Sequence, residues 1–260
     1  MTKRGDGMTE EKREKQPTDL LVGRNAVSEA LKSGRPIDHI EVARGERTGS
    51  IVALLAKAKE RGIPVKEVDS RKLDFSAGPH HQGVVAVAAC KAFSTLDEAL
   101  ALAESRGEPP FLVICDELED PHNLGAVIRT AECAGAHGVI IPKRHGVGLT
   151  GTVYKASAGA VEYMPVVRVT NIADTVNELK NRNIWVFGLD MDGQPWDKTD
   201  LSGAVALVIG SEGHGISRLV RQRCDGIVSL PMAGKINSLN ASVAGGILMY
   251  EVVRRRQNGK

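Results

Sequence analysis

The chain has 260 residues, of which 42% are hydrophobic and 25% are charged, as is usual for a globular protein. Its formal net charge of +2 excludes a uniformly basic protein but allows a local basic surface. Aromatic residues make up only 3% of the chain, so we expect an aliphatic core and few side chains that can stack on nucleic-acid bases.

The cysteine pattern and the N-terminus indicate a cytoplasmic protein. Cys90, Cys115, Cys133 and Cys224 are far apart in sequence and form no CxxC pair, which argues against a zinc site or a disulfide framework and favours reduced thiols. No apolar run is long enough to span a bilayer. Residues 1–18 mix charges of both signs without an apolar core, so we expect a disordered tail rather than a signal peptide.

Helix-like and strand-like segments alternate between residues 19 and 92. The predicted helices are LVGRNAVSEALKSG and TGSIVALLAKAKERG, and the predicted strands are IDHIEVARG, IPVKEVD and GVVAVAAC. We expect this segment to form a small α/β unit.

Residues 93–108 are interpreted as a linker. KAFSTLDEALALAESRGEPP contains a helical stretch with Ser94 or Thr95 near its N-cap, and it ends in a glycine and two prolines that favour a domain boundary. The alternative is one continuous domain that carries a surface helix at this point.

The remaining segment, residues 109–257, repeats the alternation with stronger strands. FLVICDEL is nearly all apolar, which is typical of a strand buried on both faces. The later predicted strands are GVIIP, VEYMPVV, IWVFGLDM, AVALVIG and GIVSLPM, and the helices between them include residues 121–135, Gly151–Ser157, NIADTVNELKNRN and ISRLVRQRC. This order predicts a parallel α/β sheet whose ligand binds beyond the carboxyl ends of the strands.

Three strand-end loops are unusually rich in Gly, Asn and Ser: ELEDPHNLGAVIR, VIGSEGHGIS and LPMAGKINSLNAS. The second loop lacks the lysine of a Walker A loop, and Glu212 would repel a phosphate, so an uncharged or cationic ligand fits it better. Taken alone, this loop is also explained as an ordinary glycine-rich turn.

The chain ends in a predicted helix from about Ser238 to Arg256. Asn237 or Ser238 is expected to cap it. Gly245 and Gly246 each cost about 1 kcal/mol relative to Ala within a helix, and such glycines mark close approach of another backbone. We therefore expect a tightly packed partner helix, with a second subunit as one source.

No catalytic triad, HExxH pair or paired carboxylates stand out, and the histidines are scattered, so no metal site is predicted: His122, His137, His145 and His214. The residues alone indicate an α/β enzyme with a polar site built from three loops, and they do not name the reaction.

The three loops resemble the three motifs of the SpoU (TrmH-like) branch of SPOUT methyltransferases. The motifs are NLGAVIRTA, VIGSEGHGIS and LPMAGKINSLNASVAGGILMYE, in the family's order. The N-terminal unit resembles an L30e-like RNA substrate-binding domain through LLVGRNAVSEAL and HHQGVVAVA. This layout is similar to that of RlmB-type bacterial 23S rRNA guanosine 2′-O-methyltransferases.

The resemblance implies a deep trefoil knot in the C-terminal domain, although general rules of chain topology would predict an unknotted sheet. It further implies S-adenosylmethionine (SAM) as methyl donor, RNA as substrate and a homodimer whose sites lie near the subunit interface.

The resemblance also assigns residues. The active-site positions are Asn123, Arg129, Glu212, Ser238 and Asn240. The SAM-binding positions are Gly210, Leu230 and Leu239, joined by Gly188 and Leu189 of GLDMDG. Basic residues proposed to contact RNA are Arg24, His80, His81, Lys143, Arg144 and Lys155.

Arg129 is the proposed group beside the ribose hydroxyl. It either helps to remove the proton, which needs a strongly perturbed guanidinium, or binds the ribose–phosphate and stabilises the developing alkoxide. The structural alternative is an ordinary ion pair with Glu132 or Glu212. Two other functions stay open: a tRNA ribose 2′-O-methyltransferase, and a non-catalytic RNA-binding or ribosome-assembly factor of the same fold.

Overall fold

The computed structural model describes residues 18–45, 49–89, 91–236 and 238–258. The predicted tail up to residue 17, the thiol of Cys90 and the capping role of Asn237 lie outside these ranges. The described part contains two sheets, one in each predicted α/β unit.

The N-terminal unit is a four-stranded sheet with three helices. Its strands are β1 (Thr18–Val22), β2 (Ile37–Ala43), β3 (Val65–Val68) and β4 (Val84–Ala89), in the order β1-β4-β2-β3. Its helices are α1 (Arg24–Lys32), α2 (Ser50–Glu60) and α3 (Ser70–Ala77). Strands β2 and β3 are parallel, whereas β4 runs antiparallel to both β1 and β2.

Two elements of this unit were not predicted. Strand β1 is the first: the helix expected from LVGRNAVSEALKSG begins only at Arg24, because Leu21 and Val22 pair with β4 as part of β1. Helix α3 escaped prediction because Leu73 is its one buried side chain, which leaves no apolar periodicity to recognise.

The C-terminal unit is a six-stranded, fully parallel sheet, as predicted. Its strands are β5 (Phe111–Cys115), β6 (Gly138–Pro142), β7 (Val166–Val169), β8 (Trp185–Pro195), β9 (Val205–Ile209) and β10 (Gly226–Ser229). Its helices are α4 (Leu96–Arg106), α5 (Pro121–Cys133), α6 (Gly151–Ala156), α7 (Ile172–Asn181), α8 (Arg218–Arg223) and α9 (Ala241–Asn258). The strand predicted from VEYMPVV is wrong at its start, since Ala160–Glu162 form a 3-10 turn.

The strand order β10-β8-β9-β5-β6-β7 places β5 beside β9 at the centre of this sheet. Every residue of both strands is buried, which accounts for their continuous apolar sequences. The direction of strand progression reverses between them, and such switch points form ligand crevices in parallel sheets. The trefoil knot stays a prediction from the family resemblance.

The segment predicted as a linker contains a packed helix. Thr95 and Glu98 form a reciprocal capping box at the start of α4, and Ala99 and Ala103 are buried, Ala99 in the same core as Leu112 of β5. Helix α4 therefore belongs to the larger unit.

The two units are joined by a buried ionic contact. Arg35 is only 7% exposed and donates to Asp19 Oδ2 and to Glu162 Oε1, each at 2.6 Å. Its guanidinium also lies over the ring of Tyr154, 4.6 Å from the centroid. Because Glu162 and Tyr154 belong to the larger unit, this contact holds the smaller unit against α6.

Helix α9 carries Gly245 and Gly246, for which a closely packed partner helix was expected. A Cβ on Gly245 would overlap Ile209 of β9, and one on Gly246 would lie 3.5 Å from Thr130 Cγ2 of α5. Thr130 on α5 therefore supplies a neighbouring helix for Gly246, whereas the neighbour of Gly245 is a side chain of the sheet and not another backbone. The opposite face of α9 exposes an apolar stripe of Val243, Ile247 and Tyr250.

Candidate active site

The predicted loops after β9 and β10 line a cavity of about 410 Å³ at the carboxyl ends of the central strands, and the first loop lies beside them, where Asn123 bonds Glu212. This volume lies in the range of small-molecule sites. The cavity is lined by Leu189, Asp190, Met191, Ile209, Gly210, Ser211, Glu212, Gly213, His214, Gly215, Leu230, Met232, Ser238, Leu239, Ala241 and Ala244.

The loop after β9 folds back on itself to form one wall of the cavity. Ser211 and Gly215 exchange two backbone hydrogen bonds of 3.0 Å, and Gly215 has a φ of +66°, which favours glycine. A Cβ on Gly210 would overlap the backbone of Gly215 and Ile216. Glycine is therefore needed at position 210 so that this loop can close.

A hydrogen-bonded network links the three loops. Asn123 Nδ2 donates to Glu212 Oε1 at 2.6 Å. Asn240 Nδ2 donates to the same oxygen at 2.7 Å and to Asn123 Oδ1 at 2.9 Å. One carboxylate oxygen thus receives two amide donors from different elements, and charge-assisted bonds of this kind are stronger than neutral ones.

Helix starts position both asparagines. Asp120 accepts a hydrogen bond from the backbone of His122 at the start of α5, which places Asn123 in the first turn with 4% of its surface exposed. Asn240 Oδ1 accepts from the backbone nitrogens of Ser242 and Val243 and so caps α9. The capping role predicted for Ser238 therefore belongs to Asn240, and Ser238 lines the cavity instead.

The charge of the cavity wall suits a cationic or neutral ligand. Asp190 and Glu212 line it together with the leucines, and its described lining includes no lysine or arginine. Asp190 accepts from Arg221 at 2.5 Å, which holds this carboxylate in place. Asp190 lies in GLDMDG, the strand-end stretch assigned to the SAM pocket, although no role was predicted for its carboxylate.

The predicted SAM-binding residues divide into two groups. Gly210, Leu230, Leu239 and Leu189 all line the cavity. Gly188 does not: a Cβ there would lie 2.6 Å from Ile216 Cδ1. Glycine at position 188 leaves room for Ile216 and Ile227 behind the cavity wall, and its assignment to SAM stays a prediction.

Arg129 lies apart from this network. Its side chain is exposed and makes no hydrogen bond or ion pair with any residue that the structure describes. The ordinary ion pair with Glu132 or Glu212 is thus absent from the described structure. Arg129 lines a second cavity, of about 240 Å³, between the two units.

The predicted RNA contacts also differ from one another. His81 is 6% exposed, accepts from the backbone of Gly83 and pairs with Asp74, so in this structure its ring supports the loop. Arg24 is occupied within the small unit, where its Nε donates to the carbonyl of Gln82. His80 and Lys155 are exposed and line the second cavity.

Lys143 and Arg144 directly follow β6, at the carboxyl edge of the large sheet, and both are exposed.

Within the described ranges, no group of three or more His, Cys, Asp or Glu side chains is placed to hold a metal ion. None of the described helices combines the length and the hydropathy needed to cross a bilayer.

Comparison with known proteins connects this geometry to a family. Residues 110–250 match the SpoU rRNA Methylase family, and residues 20–93 match a domain described as RNA 2′-O ribose methyltransferase substrate binding. The chain is 50% identical over 242 residues to YacO of Bacillus subtilis, which is named for the TrmH family of tRNA/rRNA methyltransferases; the match covers 93% of this chain and 97% of YacO. The chain belongs to the SpoU rRNA methylase family. The predicted family and the enzyme class, RNA methyltransferase, are confirmed.

Solved structures confirm the fold of this SpoU methylase. The SpoU methyltransferase AviRb from Streptomyces viridochromogenes, in complex with AdoMet, superposes with a TM-score of 0.79 at 29% identity, over 93% of this chain and 92% of AviRb. An AdoMet-bound rRNA methyltransferase from Sinorhizobium meliloti superposes with a TM-score of 0.74 at 25% identity, over 91% and 87% of the two chains. The predicted parallel α/β domain with a preceding substrate-binding domain is therefore correct.

Proposed function

We propose that this SpoU methylase transfers a methyl group from SAM to a ribose 2′-hydroxyl of 23S rRNA, with a guanosine as the target. The observation that carries this proposal is the bonded set of Asn123, Glu212 and Asn240 beside the cavity. Every member of this set comes from one of the three motif loops.

The chemistry of the cavity fits SAM. Leu189, Leu230 and Leu239 would offer apolar surface to the adenosine, and the carboxylates of Asp190 and Glu212 would suit the positive charges of the ligand. Gly210 and Gly215, which also line the cavity, would let the backbone approach the ligand closely. When bound, SAM supplies a methyl group that its sulfonium already activates. The related structure of AviRb was solved in complex with AdoMet, which supports this assignment.

The protein's own residues then position the nucleophile. Arg129 binds the ribose–phosphate and stabilises the negative charge that develops on the 2′-oxygen, whose proton is released to solvent. Asn123, Glu212 and Asn240 orient the nucleotide. Ser238, which lines the cavity, contributes a further hydroxyl to this site.

A homodimer would bring Arg129, which lies apart from the network of Asn123, Glu212 and Asn240 within one chain, close to such a network. Arg129 precedes Thr130, which packs beside Gly246 of α9, so Arg129 borders the helix that exposes Val243, Ile247 and Tyr250. An apolar stripe of this kind is suited to burial against a second copy of the chain. Such a dimer would place Arg129 near the cavity of the partner subunit.

Ribosomal RNA is favoured over tRNA by the N-terminal unit. The match at residues 20–93 describes a substrate-binding domain, and the S. meliloti relative with the same two-unit extent is an rRNA methyltransferase. YacO is named for both substrates, so tRNA is the competing target. A non-catalytic assembly factor is the third candidate, although all five predicted active-site side chains are present.

One assay separates these candidates. The protein is incubated with tritiated SAM and either unmodified 23S rRNA or unmodified total tRNA, and incorporation into each RNA is measured. Label in rRNA alone supports the proposal, label in tRNA alone moves the enzyme to the competing target, and label in neither favours the assembly factor.

A further inference from the structure

The second cavity lies where the two units of the chain face each other. The small unit contributes the start of α1 and the loop before β4, and the large unit contributes α5 and the end of α6. Its lining is Val22, Gly23, Asn25, Ala26, His80, Gln82, Arg129, Lys155 and Ala158. None of these residues lines the larger cavity. We call this second cavity the interdomain cleft.

The charge of the interdomain cleft is unbalanced. Arg129 and Lys155 line it, and its described lining contains no carboxylate. Neither side chain makes a hydrogen bond or ion pair with the part of the chain that the structure describes. Arg35, also at the domain junction, is by contrast neutralised by Asp19 and Glu162. Two unneutralised cations in a concave site favour an anionic ligand.

The small unit adds polar groups on a rigid support. Gln82 accepts from the backbone of Arg24 through Oε1 at 3.1 Å, which leaves its amide nitrogen as a donor. Arg24 Nε donates to the Gln82 carbonyl, and His81 is bonded to Gly83 and Asp74. Residues 81–83, directly after His80, are therefore held in place, and a preorganised site loses less entropy on binding.

We propose that the interdomain cleft binds a single phosphate-bearing nucleotide of the substrate RNA, with Lys155 contacting the phosphate and His80, Gln82 and Asn25 contacting the sugar or base. This inference rests on the proposed function, because it takes the RNA strand to pass Arg129. A phosphodiester matches two cations and three neutral polar side chains better than a purely apolar or cationic ligand does. The small unit is then part of the substrate site itself, in addition to any contacts it makes farther along the RNA.

The test measures RNA binding separately from methyl transfer. Full-length protein, Lys155→Ala, His80→Ala and the control Lys59→Ala are titrated with unmodified 23S rRNA at two salt concentrations. Lys59 is exposed on α2. It lies two residues before Arg61, whose guanidinium donates to carbonyls at the end of α1 that is remote from the cleft. The control removes the same charge outside the cleft.

We expect Lys155→Ala and His80→Ala to weaken RNA binding at least about fivefold relative to Lys59→Ala, with SAM affinity unchanged. Loss of one phosphate contact should also lower the salt dependence of binding to Lys155→Ala by about one unit of log–log slope. RNA binding by Lys155→Ala equal to that of the control overturns the proposal, and an effect of Lys155→Ala without one of His80→Ala overturns the contribution of the small unit. A wild-type protein that binds RNA through the cleft but methylates none would instead refute the proposed function.

Discussion

Substitution of Gly210 tests how the loop after β9 shapes the larger cavity. A Cβ at this position would overlap the backbone of Gly215 and Ile216. The two arms of the loop must therefore separate by roughly 1 Å before this Cβ and that backbone reach van der Waals contact. Overpacking of this kind costs about 1–3 kcal/mol. The two Ser211–Gly215 hydrogen bonds, each about 1 kcal/mol, are the first contacts to weaken.

Gly213→Ala is the matched control, because Gly213 lines the same cavity and a Cβ there meets nothing within 4 Å. If SAM binding must restore the native loop, Gly210→Ala should lose about 1–3 kcal/mol of binding free energy, or roughly 5- to 150-fold in Kd. Titration calorimetry with SAM measures this change, and thermal unfolding confirms that both variants are folded. Wild-type affinity in Gly210→Ala, or an equal loss in Gly213→Ala, would refute the reasoning.

Three further predictions address other parts of the molecule. Arg129→Ala should fold and bind SAM but lose most methyl transfer, and Arg129→Lys should also be poor because an ammonium does not reproduce the planar fork; near-normal turnover of either contradicts the assignment. Burial lowers the pKa of Lys91 to about 8. Between pH of about 8 and about 10 the unfolded chain therefore binds more protons than the folded chain, and the free energy of unfolding should rise with pH. Denaturant unfolding should show this rise for the wild type relative to Lys91→Met, and a pH-independent difference would oppose it. A fragment of residues 94–260 should melt at a higher temperature than one of residues 108–260, which lacks α4; equal melting by circular dichroism would mean that α4 contributes nothing to the core.

Local patterns in the sequence predict the fold where the cause is local. The apolar runs of β5 and β9 are recognisable because both faces of these strands are buried. Strand β1 is not, because its pairing partner β4 lies more than sixty residues away in the chain. Helix α3 buries one side chain and carries no periodic signal.

In the candidate site, too, local sequence patterns do not show which residues the fold brings together. His80 and His81 are adjacent and chemically identical, yet one lines the interdomain cleft and the other is a buried support of the loop. Gly245 indicated a close neighbour, but that neighbour is the side chain of Ile209 and not another backbone, which only the fold shows. The motif resemblance identified Asn123 and Asn240, whereas their shared bonds to Glu212 depend on the meeting of three distant loops.

The most direct test of the central claim identifies the methylated atom. Unmodified 23S rRNA is incubated with the protein and SAM that carries a deuterated methyl group, digested to nucleosides and analysed by mass spectrometry. The proposed mechanism predicts the label on the ribose of one 2′-O-methylguanosine site, and its loss in Arg129→Ala. Label on a base, or no label from a protein that binds both SAM and the RNA, would contradict the proposed function.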